Sequence, residues 1–310
     1  YHIVPSTYTK VATFPSVTDD FQGSSFKSTY RAYVSPTQPA GSYVGRVRYT
    51  MVHPNDAVAP LAKITLSDAY EKTGKTKVTV GSSSYYKLQD MTPEICNMTE
   101  VLDEGSQMQA IDIRDNKIYW ITKLQDGKCW MAQNLKLIGP LTITPDNSDV
   151  STNFSVPASA GGIWASGTYD ATNANSPHAY YFSSTDSVYY NWWTSVAGSM
   201  NFSSTSGTAA SSICPKNWKL PLASEHQALG NSYSNYHSDF IPASRAQLSG
   251  QYVYTTGNVA NTGSRGVLWS SNPNSAGYSA LAFLFTRNGY GIDYTSFDKV
   301  GGLPIRCVAR

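Results

Sequence analysis

The sequence predicts an α+β, β-rich fold. A small N-terminal β domain, read as a partial sandwich, precedes a larger domain of short strands, long loops and one or two helices. Three observations carry this. Apolar and polar residues alternate with period two over several short stretches. Glycine, proline and asparagine turn signals separate those stretches. Charged residues are only 14% of the chain, against about 25% for an average soluble protein. Aromatics reach 13%, with 22 tyrosines and 7 tryptophans, so hydroxyls and amides rather than ions keep the surface wet.

Residues 1–58 read as the N-terminal β segment. Phe26, Tyr30 and Ala32 share one face of a strand, residues 35–41 form a turn, and residues 43–52 alternate again before His53-Pro54 stops them. Three or four strands make a sheet barely stable alone, so this segment is expected to be completed by upstream chain or by a neighbouring molecule. Residues 59–90 read as a connector with one short helix, capped by Ser67 and closed by Gly74. Gly74-Lys75-Thr76 resembles the end of a phosphate loop, but the motif needs a glycine where Ala69 stands and no apolar strand leads into it, so the reading is discarded.

Residues 91–310 form the larger domain. A hairpin turns at Asp115-Asn116, and Asp126-Gly127 leads into a strand beginning at Cys129. Residues 138–212 are polar loop broken by Tyr189-Tyr190-Asn191-Trp192-Trp193. The clearest helix follows Ser224, expected as its cap, with Gln227 three residues on. Strands then cover residues 267–269 and 281–285, an Asn288-Gly289 turn follows, and in the last strand Leu303, Ile305 and Cys307 point inward.

The formal charge of +2 gives no field for nucleic acid or anionic lipid, and no nucleic-acid partner is expected. Lys72, Lys75 and Lys77 read as a solvated turn. No run of about 18 apolar residues exists. The chain opens on Tyr1-His2-Ile3-Val4-Pro5, and the expectation is a processed or partial product with its export signal upstream. The four cysteines allow three pairings, with four free thiols as the alternative; none lies in a C-x-x-C or at zinc-ligand spacing.

No catalytic residue and no cofactor is assigned. His2, His53, His178, His226 and His237 lie in no recognisable signature, and Gly-x-Ser-x-Gly and His-Glu-x-x-His are missing. Gly289-Tyr290-Gly291 lacks its third glycine at Tyr294. His226 reads as an exposed residue of the capped helix. Asp146, Asn147 and Asp149 lie in a polar loop without the glycine and glutamate of a calcium loop, and no metal is assigned. Tyr180, Tyr181, Tyr278, Tyr290 and Tyr294 sit in loop or hairpin contexts, where a flat ring with a hydroxyl suits sugar stacking or protein contact. Trp192 is assigned to the core.

Six ordered blocks extend this reading. They are Asp112-Ile113-Arg114-Asp115-Asn116-Lys117-Ile118-Tyr119, Lys128-Cys129-Trp130-Met131-Ala132-Gln133-Asn134-Leu135 and Tyr189-Tyr190-Asn191-Trp192, then Ile213-Cys214-Pro215-Lys216-Asn217-Trp218-Lys219-Leu220-Pro221, Leu268-Trp269-Ser270-Ser271 and Ile305-Arg306-Cys307-Val308. Over these the chain resembles the Fibrobacter succinogenes major paralogous domain, a family of exported bacterial proteins. Residues 26–54 and 87–96 resemble surface proteins of Saccharibacteria and related small-genome bacteria.

The resemblance implies a C-type-lectin-like fold over residues 91–310, related in outline to the formylglycine-generating enzymes. It implies a Cys214–Cys307 disulfide and leaves Cys96 with Cys129. The redox-active cysteines of those enzymes have no counterpart here, so their activity is not carried over. Asn272-Pro273-Asn274 is similar to the proline-centred tripeptide of calcium-dependent lectins, but its first residue differs and the accompanying Trp-Asn-Asp is replaced. Asn272 and Asn274 remain as candidate ligand contacts.

The expectation is therefore a non-catalytic extracellular or cell-surface protein with a structural or adhesive role, such as a self-assembling filament or appendage subunit. The alternative is a monomeric lectin-like adhesin module. The partners expected are a second copy through the N-terminal β segment, and a glycan or a partner-cell surface protein, with an upstream membrane or wall anchor.

Overall fold

The computed structural model describes residues 64–101, 106–156, 180–182, 187–201, 203–234, 239–293 and 297–310. The chain divides into two compact units, Tyr1–Ala57 and Val58–Arg310. The first lies outside the described residues, and with it the expected N-terminal strands and their self-association. In chain order the second runs α1 (Leu66–Lys72), β1 (Val78–Val80), β2 (Ser83–Lys87), a 3₁₀ turn (Leu88–Asp90), α2 (Pro93–Met98), β3 (Ser106–Ile111), β4 (Ile118–Lys123) and β5 (Cys129–Met131). It continues with β6 (Leu141–Ile143), β7 (Phe154–Val156), β8 (Tyr180–Phe182), β9 (Val188–Tyr190), α3 (Trp192–Ser195), β10 (Trp218–Lys219), α4 (Ala223–Asn231) and α5 (Ile241–Ser244). Then come β11 (Gln251–Val253), β12 (Asn258–Ala260), β13 (Arg265–Pro273), β14 (Ala280–Thr286), β15 (Gly289–Asp293) and β16 (Val308–Ala309).

The structure is β-rich with few helices. Its main sheet is seven-stranded in the order β1-β2-β3-β4-β5-β16-β10, so the last strand is inserted between two earlier ones. A second sheet, β13-β14-β15, is a meander. The turns foreseen at Asp115-Asn116 and Asp126-Gly127 join β3 to β4 and β4 to β5, with Asn116 at φ 58° and Gly127 at φ 78°. In both, the left-handed backbone falls on a residue type that tolerates it.

The stretch read as a connector contributes Leu66, Ala69 and Tyr70 of α1 and Leu88 of the 3₁₀ turn to the main core, all fully buried. The cap of α1 is Thr65 rather than Ser67. Its hydroxyl accepts the Asp68 amide at 3.2 Å while the Asp68 carboxylate accepts the Thr65 amide at 3.0 Å, a reciprocal capping box.

At α4 the helix starts at Ala223, so Ser224 is already inside it and cannot cap. Leu222 occupies the cap position with extended backbone and has no side-chain acceptor of its own. Glu225 accepts the Leu222 amide at 2.9 Å, and Asn272 of β13 accepts the Ala223 amide at 2.9 Å. The cap is thus a tertiary contact.

The two cystines join Cys96 of α2 to Cys129 of β5, and Cys214 ahead of β10 to Cys307 ahead of β16. Among the described residues no cysteine is free, the signature of an oxidising setting, extracellular or periplasmic. No described helix is long and apolar enough to cross a membrane.

Aromatic side chains fill the core and also bind the loops to it. Trp130, Trp192, Trp218 and Trp269 are at most 2% exposed. Their indole N–H groups donate to the Asp126 carboxylate and to the carbonyls of Ser270, Leu88 and Tyr190, at 2.7–2.9 Å. The hydroxyls of Tyr189 and Tyr190 donate to the carbonyls of Ser249 and Leu137 at 2.7 and 2.8 Å. A buried ring with a polar edge needs such a partner, and here the partners lie mostly in irregular segments that no sheet ladder reaches.

Candidate contact surface

The polar loops are anchored mostly by buried cations. Lys299 is fully buried. Its ammonium donates to the carbonyls of Ser204 and Gly277 at 2.7 and 2.6 Å and lies 4.7 Å from the centre of the Trp192 ring. Burial pulls its pKa down to about 8. Arg306 donates to Asn134 Oδ1 at 3.0 Å and to the carbonyls of Ser244 and Arg245 at 2.6 and 2.9 Å. Lys123 donates to the carbonyls of Cys96 and Thr99. Arg114 pairs with Asp112 and reaches the Ile213 carbonyl at 2.7 Å. The Arg114 guanidinium and further hydrogen bonds hold the Asp112 carboxyl below its usual range against the opposing effect of burial.

Over Lys299 sits a tip built from the β13–β14 turn and the segment around residue 207. The Asn274 amide donates to the Ser279 carbonyl and the Gly277 amide to the Asn274 carbonyl, both at 3.0 Å. The Lys299 amide donates to the Tyr278 carbonyl at 2.9 Å. Tyr278 itself is 57% exposed, the highest value among the exposed large hydrophobic residues described. A rigid backbone thus presents one aromatic ring outward.

The candidate residues do not form one surface. Asn272, Asn274 and Tyr278 gather at this tip. The Asn272 amide is spent within the protein, its oxygen on the Ala223 amide and its nitrogen on the Gly207 carbonyl and Thr208 hydroxyl. It is a brace between β13, α4 and the neighbouring loop. Asn274 accepts a hydrogen bond from the adjacent Ser275 hydroxyl at 3.2 Å.

Tyr290 lies at the other end of the sheet, opposite Phe285, five residues along β14 from Ala280 and so roughly 17 Å away. Its ring rests against α4 so closely that a Cβ at Gly230 would come within 2.1 Å of it, and its hydroxyl donates to Asn231 Oδ1. Tyr180 and Tyr181 pair with Tyr190 and Tyr189 in the β8–β9 hairpin. Tyr294 lies outside the described residues.

Two of the loop residues, Asn147 and Asp149, are also engaged. Asn147 Oδ1 accepts the Thr144 amide and the Ser148 hydroxyl, and Asp149 binds the Ser212 hydroxyl and the Arg310 guanidinium. Among the described residues no three His, Cys, Asp or Glu side chains gather as a metal site. A groove of about 540 Å³ is lined by Ile241, Leu248, Ser249, Arg287 and neighbours, with Arg287 its single charged group among the described residues.

Sequence reasoning missed two residues. Lys299, in Asp298-Lys299-Val300-Gly301, has nothing local to distinguish it from a solvated turn lysine. His226, expected on an exposed helix face, is fully buried; the ring of Phe283 lies over it and that of Trp130 beyond. Trp192 is core, as expected.

Comparison with family models, with curated proteins and with solved structures finds no match to this chain.

Proposed function

We propose that this is a non-catalytic extracellular protein of the C-type-lectin-like kind, with a structural or adhesive role at a bacterial cell surface. The observation that carries the reading is the Tyr278 tip, a strongly exposed aromatic ring on a turn braced from below by a buried lysine and from the side by Asn272. Preorganised aromatic side chains contribute contact area at small entropic cost. Two further features favour the reading. The interior cations are spent on backbone carbonyls of loops and helix ends, and Trp218-Lys219-Leu220-Pro221 leads into α4 while β10 pairs with β16, with the Cys214–Cys307 cystine beside that pairing.

The test compares the wild type with Tyr278→Ser. Both are screened on immobilised glycans, with and without calcium, and on bacterial and host cells, while sedimentation follows self-association. Loss of binding or association in the variant, at an unchanged melting temperature, is the expected outcome. A wild type that stays a sharp monomer at high concentration and binds nothing in any screen overturns the proposal.

A further inference from the structure

We propose that His226 is an acid-responsive latch, whose protonation opens the seam between the unit formed by α4 with the β13–β15 sheet and the seven-stranded sheet. The imidazole is carried on α4. It stacks on Phe283 of β14 at 4.8 Å between ring centroids and 13° between planes, and faces Trp130 of β5 at 5.7 Å and 23°. One ring therefore belongs to each side of the seam.

Around it a second hydrophobic cluster joins the same parts. Leu124, Trp130 and Val308 come from the seven-stranded side, Leu229 and Tyr233 from α4 and its exit, and Leu268, Phe283 and Phe285 from the smaller sheet. Among the described residues neither Nδ1 nor Nε2 has a hydrogen-bond partner. A neutral imidazole tolerates that between two rings. An imidazolium, with two donors and a full charge, does not, and solvation requires the seam to part.

The charged groups nearby do not rescue the cation. Glu225 precedes His226 on α4, but Lys128 from the β4–β5 turn and Lys219 of β10 both bind its carboxylate. Arg306, ahead of β16, adds positive charge. Asp126 of the β4–β5 turn is spent on the Trp130 indole and the Lys128 amide. The Tyr233 hydroxyl accepts the Gln125 amide and that of Tyr290 donates to Asn231. Burial depresses the imidazole to about 3; the Glu225 carboxylate opposes it, and Arg306 adds a smaller push in the same direction as burial.

The sign follows from that depression. An opened His226 titrates near 6.5, so acid favours the open form from about pH 6.5 down to about 3. Stability present above 6.5 is lost across that window by about tenfold in the opening equilibrium per pH unit. At pH 4.5 the opening is favoured about a hundredfold over neutral pH.

Hydrogen exchange by mass spectrometry on the full chain tests this at pH 7 and 4.5, with intrinsic rates corrected. Segments Ala223–Asn231 and Ala280–Thr286 are expected to open about a hundredfold more at pH 4.5, with Ile118–Lys123 unchanged as the internal control. His226→Phe, which keeps an aromatic ring in the stack, is expected to abolish the pH response. A response shared equally by the control strand, or retained in the variant, overturns the proposal. Nitrogen NMR of histidine-labelled wild type gives a check free of any variant: a His226 nitrogen titrating above about pH 5 in the folded protein overturns it as well.

Discussion

Removing the two disulfides one at a time gives the most direct measure of how the second unit is held together. Cys214 and Cys307 close a loop spanning 93 positions, Cys96 and Cys129 one of 33. In the chain-entropy treatment the longer bridge restricts the unfolded chain by about 4.7 kcal/mol at 25 °C and the shorter by about 3.8 kcal/mol. Replacing either pair with alanines also removes two buried sulfurs. All four cysteines are 6% exposed or less, so that packing loss is similar in both variants and cancels in the comparison. The difference between the variants is therefore about 1 kcal/mol, and either loss is a large part of a net stability of about 5–15 kcal/mol. Urea unfolding followed by tryptophan fluorescence measures both. With a slope of about 2–3 kcal/mol per M, the midpoint falls by about 1.5–2.5 M for Cys214→Ala with Cys307→Ala, and by a smaller amount for the other pair. If Cys96→Ala with Cys129→Ala lowers the midpoint as far or further at equal slope, the loop-closure reasoning is wrong for this fold.

Two further substitutions probe the buried charges. Arg306→Met leaves the buried Ser244 carbonyl, the half-buried Arg245 carbonyl and the Asn134 amide oxygen without their donor, and thermal melts are expected to show a loss of about 3–5 kcal/mol. Arg306→Lys keeps the charge without the planar fork and recovers less than half of it; full recovery contradicts the geometric account. For Asp126, burial raises the carboxyl to about 6, so the folded state binds a proton more tightly than the unfolded one, and stability falls as pH rises from about 4 to 6. Asp126→Asn keeps an acceptor for the Trp130 indole and removes that loss. It should match the wild type at pH 4 and exceed it by about 1–2 kcal/mol at pH 7, the figure being discounted because this side chain is only partly buried; equal curves at both pH values refute the assignment.

What the sequence made legible was what it encodes locally. The turns at Asp115-Asn116 and Asp126-Gly127 carry their own backbone chemistry, and the apolar run 281–285 reads as a strand, which places Phe283 and Phe285 in one cluster and Ala282 in the other, with a register that the β13 pairing then fixes. The helix caps were not legible in the same way. The acceptor for the start of α4 is Asn272, some fifty positions away, and proximity in sequence favoured Ser224 over it. His226 failed for a related reason. On α4 the residues buried are Glu225, His226, Leu229 and Gly230, so residue type gives the wrong face, and the rings that enclose the imidazole arrive from β5 and β14. Among the candidate tyrosines, Tyr278 and Tyr290 look alike in sequence, both near a glycine in a hairpin. One projects into solvent and the other is locked over Gly230, and only the packing of α4 separates them.

A chain with few charges places several of those it has inside. Lys123, Lys299 and Arg306 each donate to two carbonyls, and many of the segments that supply those carbonyls are irregular. An ion pair would fix one side chain against another; Lys299, on the carbonyls of Ser204 and Gly277, fixes two stretches of backbone against each other, while Lys123 and Arg306 each tie one such stretch to their own. Cystines do the same work covalently, but only where two cysteines can approach within about 4.4–6.8 Å between Cα atoms, and they hold one point each. A buried ammonium reaches farther, yet its desolvation is large unless its donors are satisfied, so it stabilises a loop only when that loop already has a single shape. Tyr278 sits directly above such an arrangement. Its backbone is ordered by Lys299 in the folded chain, so the ordering entropy of that turn falls on folding rather than on any later contact.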